Sequence, residues 1–202
     1  MLKEHNFKIL IPARKNSKGL PFKNRELFSS TADIVPDEYK NITYVFTDDE
    51  IIQNFGREYG FKVLDRNPES ALDESTTKEL MEDFCGNFSE SQTIIMLYLT
   101  YPERTWDDVE KAIEVFSNTK AKSLLCKKEV KQTPYLMMYE LENCRGEQVI
   151  KHNFSRRQDY RECFEISHFI SIIDSSELSY LNNNLYNSNT YFLKIRDVVD
   201  ID

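Results

Sequence analysis

The feature that most constrains this chain is the alternation of short apolar runs with helical periodicities along residues 7–126. Phe7-Lys8-Ile9-Leu10-Ile11-Pro12 is a compact apolar run ended by proline, which predicts a buried strand. Residues 42–46 form a second, rich in β-branched and aromatic side chains, and Thr47-Asp48-Asp49 follows with side chains suited to capping a helix. Ile51, Ile52, Phe55 and Tyr59 then recur at helical spacing up to Gly60, a helix stop. The alternation continues with a strand at 61–64, a helix at 74–88 and the most apolar strand at 93–100. A helix opened by Thr105, with Asp108 at the capping-box position, leads to a strand at 121–126. Strands alternating with helices in this way imply an α/β fold with a mostly parallel central sheet, helices on both faces and the 93–100 strand near its centre. Past residue 126 the pattern loosens. Residues 134–141 and 168–174 read as further strands, and 191–195 and 198–201 as late apolar runs. The expected organisation is one domain, 1–202, with a flap over approximately 130–175.

Composition removes several classes of function. A formal charge of −8 argues against a surface for nucleic-acid backbones, which requires a concentrated basic patch. The longest apolar run, 94–99, falls far short of the roughly 20 residues of a spanning helix, and residues 1–7 lack the apolar core of a secretory signal. Cys85, Cys126, Cys144 and Cys163 are widely spaced without a C-x-x-C pair, so neither a zinc site nor a disulfide framework is indicated. Reduced thiols in a cytoplasmic protein are the expectation.

Against this acidic background, the loop after the first strand inverts the charge. It reads Ile11-Pro12-Ala13-Arg14-Lys15-Asn16-Ser17-Lys18-Gly19-Leu20-Pro21-Phe22-Lys23-Asn24, with four cations between Arg14 and Lys23. Open α/β sheets bind ligands at the carboxyl ends of their strands, where this loop falls. Backbone amides near a glycine, together with fixed cations, can hold a triphosphate and offset charge developing in phosphoryl transfer. With one glycine it is neither a Walker A loop nor G-x-G-x-x-G. On charge alone it reads equally well as a solvated basic turn.

The loop resembles the I-P-A-R-x-x-S-K-G-[IL]-x-x-K-N signature of the CMP-sugar synthetases, the acylneuraminate cytidylyltransferase family. Weaker likenesses follow in family order. Residues 45–50 resemble V-S-T-D-D-E, 66–69 resemble R-P-x-E, 100–105 resemble T-S-P-L-R-T, 156–159 match R-R-Q-D, and 199–202 resemble I-D-I-D. The resemblance implies a Rossmann-like nucleotidyltransferase fold, and an enzyme that transfers CMP from CTP to a hydroxyl of a sialic-acid-like or other 2-keto sugar acid, releasing pyrophosphate. It further implies that Ala13, Arg14, Ser17, Lys18, Lys23, Asn24 and Arg66 contact the nucleotide, with Arg14, Lys18 and Lys23 serving catalysis. Tyr98, Arg156, Arg157 and Gln158 would face the sugar, and Asp200 and Asp202 would hold Mg²⁺, a cation that prefers carboxylate and phosphate oxygens. Were 199–202 a strand, its alternation would turn both carboxylates to one side. Taken without the family, an aspartate pair there is merely solvated, and Arg156 and Arg157 serve equally as surface ion pairs. A homodimer with a crossing flap is the implied assembly.

Departures from the family pattern bear mainly on the acceptor. Lys15 and Asn16 stand where small residues are usual. The segment between Asn24 and Thr47 is short, and is read as lacking the full helix that normally follows the loop. Tyr98 replaces a glutamine, Glu103 an apolar residue, and the helix that usually follows the metal aspartates is missing. His168, before an apolar run, reads as a packing or capping residue, and Trp106 as a packing residue. The competing expectation is a divergent, non-catalytic relative that binds a nucleotide or sugar, or acts as a partner subunit.

Overall fold

The computed structural model describes residues 7–15, 22–72 and 74–201. A seven-stranded sheet is built from β1 (Phe7–Ala13), β2 (Thr43–Thr47), β3 (Lys62–Asp65), β4 (Thr93–Met96), β5 (Ser123–Glu129), β8 (Phe164–Asp174) and β9 (Tyr191–Lys194), in the order β3-β2-β1-β4-β8-β5-β9. All neighbours are parallel except β8, which runs antiparallel to both β4 and β5. The most apolar run is the fourth of seven strands, at the sheet's centre as its composition implies.

Alternation along β1 sends its side chains to two cores. Leu10 joins Phe46, Met96 and the α3 (Thr77–Cys85) residues Leu80, Met81 and Phe84. Ile9 and Ile11 face the opposite side, against α4 (Trp106–Thr119), α1 (Lys23–Ala32) and α2 (Glu50–Glu58). Helices thus cover both faces, as the apolar strands require. Thr105 and Asp108 form the expected capping box at α4, Asp49 caps α2 through the Ile51 amide, and Gly60 takes a positive φ of 79° just past that helix. Trp106 stacks on Tyr39 at 5.2 Å, a packing role.

Three readings are corrected. The segment after Asn24 does contain a helix, the ten-residue α1. Its apolar stripe is thin and its N-cap residue, Phe22, offers no capping side chain, so periodicity and capping signals were both weak. Tertiary contacts hold it: Phe28 meets the rings of Phe55 and Tyr59 at 5.8 Å each, and Arg25 pairs with Asp49. The flap is shorter than 130–175, because 164–174 is a strand of the main sheet. What remains is a hairpin of β6 (Met138–Leu141) and β7 (Arg145–Gln148), followed by a segment in which Tyr160 stacks on Tyr135 at 4.9 Å. Finally, 195–201 is not a strand, so strand alternation does not orient Asp200.

Candidate functional site

The order 3-2-1-4 reverses direction between β1 and β4, and the crevice at that switch point is where open sheets bind ligands. A pocket of about 390 Å³ lies at the carboxyl ends of these strands. Arg14 leaves β1, Arg66 leaves β3, Tyr98, Leu99, Thr100 and Tyr101 follow β4, and Lys23 and Asn24 open α1; all line it. Ser75, Thr76 and Thr77 at the start of α3, His168 of β8 and Asp200 complete the ring.

On one side the charge is positive. Asn24 Nδ2 donates to the Arg14 carbonyl at 2.9 Å, tying the end of β1 to the first turn of α1. Lys23 is buried although its side chain lines the pocket. The N-terminus of α1 adds the positive end of a helix dipole. The α1 segment is in turn anchored by Arg25, whose Nε and Nη2 donate to Asp49 Oδ2 and Oδ1 at 2.7 and 3.2 Å. Asp48 accepts the Lys15 amide at 2.7 Å, so the adjacent carboxylates of the Thr47-Asp48-Asp49 motif pin the two described ends of the basic loop. Arg66 is buried and donates to the backbone carbonyl and hydroxyl of Ser70. Burial lowers its pKa, and Tyr98 and Asp48 oppose the shift while Arg14 adds to it.

The other side is hydroxylated and carries one carboxylate. Tyr98 donates to Thr77 Oγ1 at 3.4 Å and meets the His168 ring edge-on at 6.0 Å. Burial lowers the His168 pKa, with the Asp200 carboxylate opposing. Burial pushes the Tyr101 phenol up, the Ser167 bond works against that, and Asp200 works with it. His168 lies where β8 is irregular: a step of two positions along β5, Leu124 to Cys126, is met by a step of five along β8, Ile172 to Ser167. Nothing in the sequence marks that bulge, and the apolar run after His168 points only to packing or capping.

Asp200 arrives by a different route from strand alternation. The Ile201 amide donates to the Thr100 carbonyl at 2.9 Å and the Val199 amide to Glu103 Oε2 at 3.1 Å. Arg196 donates to the Glu103 carbonyl at 2.8 Å and pairs with Asp108. Glu103, the departure from the family's apolar residue, is therefore the clamp that seats the tail.

Of the sequence candidates, Arg14, Lys23, Asn24, Arg66, Tyr98 and Asp200 are brought together. Ala13 is buried in the core behind the pocket. Arg156, Arg157 and Gln158 are not among the pocket's lining residues; they are exposed on the flap segment, where Arg156 pairs with Asp159 at 3.0 Å, the surface ion pair that was the alternative reading. Ser17, Lys18 and Asp202 lie outside the described residues. Among the described residues, no cluster of three or more His, Cys, Asp or Glu side chains is arranged as a metal site, no helix is long and apolar enough to cross a membrane, and all four cysteines are unpaired.

No family model matches the chain. It is 30% identical over 136 residues to the N-acylneuraminate cytidylyltransferase of Streptococcus agalactiae serotype V, a match covering 63% of this chain and 33% of that protein. It is 28% identical over 122 residues to N-acylneuraminate cytidylyltransferase A of Danio rerio, covering 57% of this chain and 28% of the relative. The chain thus matches only a minor part of the length of these relatives. In fold it is similar to CMP:2-keto-3-deoxy-manno-octonic acid synthetase complexed with CTP, with a TM-score of 0.63 at 16% identity over 96% of this chain and 91% of that one. The 4-diphosphocytidyl-2C-methyl-D-erythritol synthase of Anaerococcus prevotii aligns with a TM-score of 0.57 at 11% identity, covering 95% and 90%. With a basic crevice at the switch point, the chain is thus similar over part of its sequence to N-acylneuraminate cytidylyltransferases, and it shares its fold with solved cytidylyltransferase-type structures.

Proposed function

We propose that this chain is a cytidylyltransferase of the CMP-sugar synthetase type, which joins CMP from CTP to a hydroxyl of a sugar acid. The observation that carries the reading is the convergence of Arg14, Lys23 and Arg66 on the switch-point pocket that hydroxyls and Asp200 also line. Three cations and a helix N-terminus suit a triphosphate, while a wall of Thr, Ser and Tyr hydroxyls suits a polyol. In the proposed step the sugar hydroxyl oxygen bonds to the α-phosphorus, the bond from that phosphorus to the bridging oxygen breaks, and pyrophosphate leaves. The hydroxyl proton passes to solvent. Fixed cations lower the barrier by holding the phosphates in line and balancing the charge on the leaving group.

Asp200, and Asp202 by resemblance, would hold Mg²⁺. Asp200 lies in the pocket with hydroxyls and the His168 imidazole, and Mg²⁺ commonly binds through one or two carboxylates plus substrate phosphates. The ion would supply charge neutralisation at the phosphates. Ser17 and Lys18 are assigned to the triphosphate on sequence likeness alone. A cytoplasmic reaction is part of the same proposal.

The test is pyrophosphate release from CTP and Mg²⁺ across a panel of 2-keto sugar acids. Turnover with any member is the expected result. Silence throughout, with CTP still raising the melting temperature, would instead favour the non-catalytic binding relative. The Tyr98 ring, edge-on to His168 in the acceptor wall, is the feature that fits that second reading.

A further inference from the structure

Arg104 is the least expected charge in the molecule. Its side chain is 2% exposed, and among the described residues it makes no ion pair with a carboxylate. Burial pushes its pKa down to about 10, with Tyr101, Cys126 and Asp108 opposing, so it remains protonated at neutral pH. Burying a charge without a counter-ion is expensive unless its donors are well used. Here they are spent on three separate pieces of chain. Nη1 donates to the Phe169 carbonyl at 2.8 Å, and Nη2 donates to the Tyr98 carbonyl at 2.7 Å and to Thr31 Oγ1 at 2.9 Å. Nε has no partner among the described atoms.

Each acceptor belongs to an element that carries a pocket residue. Phe169 sits in the β8 bulge directly after His168, Tyr98 is itself in the wall, and Thr31 lies at the end of the helix that begins with Lys23 and Asn24. The bulge withdraws carbonyls from the regular ladder, and side chains answer them: Arg104 takes Phe169 O, and Cys126 Sγ donates to Ile170 O at 3.4 Å. The planar guanidinium reaches all three acceptors at once, which a point-like ammonium cannot do in the same geometry.

We propose that Arg104 is a positioning residue: it locks the β8 bulge, the 98–101 turn and α1 to one another, and so sets the acceptor wall of the pocket against its phosphate wall. The inference rests on the reading of the pocket as a cytidylyltransferase site. It is tested with Arg104→Lys, which keeps the charge but loses the fork, alongside Arg104→Ala. Circular dichroism and thermal melts establish folding, and calorimetric CTP titration, pyrophosphate release against acceptor concentration and hydrogen exchange by segment are then read.

For Arg104→Lys we expect a folded protein with CTP affinity kept, kcat lower by on the order of 10²-fold, as misplacement near 1 Å produces, and faster exchange in 97–104 and 167–171 but not in β1 or β2. Arg104→Ala should fall further in the same direction. Unchanged kcat in Arg104→Lys overturns the proposal. So does a parallel loss of CTP affinity, kcat and melting temperature, which marks a merely global role. If the wild-type chain turns over no acceptor, the proposed function fails and the exchange arm decides alone. Selective loosening of 97–104 and 167–171 with CTP binding intact then upholds Arg104 as the lock, and unaltered exchange rejects it.

Discussion

The Arg25–Asp49 pair joins the fold to the site, and its contribution can be separated into two parts. Asp49 is 1% exposed at its side chain and Arg25 22%. One carboxylate makes two contacts to the guanidinium and also caps α2 through the Ile51 amide at 3.0 Å. Asp49→Asn keeps the cap, because asparagine caps as well as aspartate, but turns an amide nitrogen or an uncharged oxygen toward Arg25. Removing one partner of a fully buried pair costs about 3–5 kcal/mol. Arg25 can partly rehydrate, so a loss of about 2–3 kcal/mol is expected here. Asp49→Ala also forfeits the cap, adding about 1 kcal/mol. For a chain of this size each kcal/mol shifts Tm by roughly 2–4 °C, so the variants should melt about 4–12 and 6–16 °C below wild type. Urea titrations should move the midpoint at constant slope. Asp49→Asn within about 0.5 kcal/mol of wild type, the range of ordinary surface substitutions, would refute the claim that the pair stabilises the fold. Equal losses in both variants would refute the cap. Because α1 begins with Lys23 and Asn24, both variants should also weaken CTP binding under conditions where they remain folded.

Other perturbations discriminate among the roles assigned above. Lys23→Ala removes a pocket cation; a charge-assisted bond to phosphate is worth about 1.5–3 kcal/mol, so the calorimetric Kd for CTP should rise roughly 10- to 100-fold. A Kd at the wild-type value would remove Lys23 from the phosphate site. Tyr98→Gln should leave CTP affinity unchanged while altering which sugar acids support turnover, and an unaltered acceptor profile would show that Tyr98 does not read the sugar. Burial raises the Cys126 and Cys85 thiols to about 12, whereas Cys144 is exposed. Alkylation at pH 8 followed by peptide mapping should therefore find Cys144 modified in the folded protein and Cys126 and Cys85 protected until denaturant is added. Labelling of Cys126 at the rate of Cys144 would contradict the described core.

The parts of this fold that were legible are those encoded by neighbours in sequence. β1, β2 and β4 announce themselves by unbroken apolar runs because both faces of each are covered, and α2 and α4 by caps and periodicity within a few residues. The phosphate wall was legible for the same reason: Arg14, Lys23 and Asn24 follow one strand within a single motif. α1 was not, since its stability comes from Asp49 and from the rings of Phe55 and Tyr59 more than from its own pattern. His168 was hidden by a bulge defined only by pairing with β5.

The acceptor wall has no local code at all. The bonds that seat Asp200 join residues 96, 93 and 88 positions apart, through Val199 to Glu103, Arg196 to Glu103 and Arg196 to Asp108. The guanidinium of Arg104 spans 73 positions to Thr31 and 65 to Phe169. Such contacts form only after the sheet has brought β4, β8 and the tail together, so their order depends on the completed core. That separation has a functional consequence. The phosphate wall is held by β1, α1 and the Thr47-Asp48-Asp49 motif, Arg104 joins it to the acceptor wall, and the acceptor wall is further held by Glu103 and Arg196. Substitutions at the second set can therefore re-shape the sugar side while leaving the nucleotide side intact. The departures from the family pattern at Tyr98 and Glu103 fall on that adaptable side.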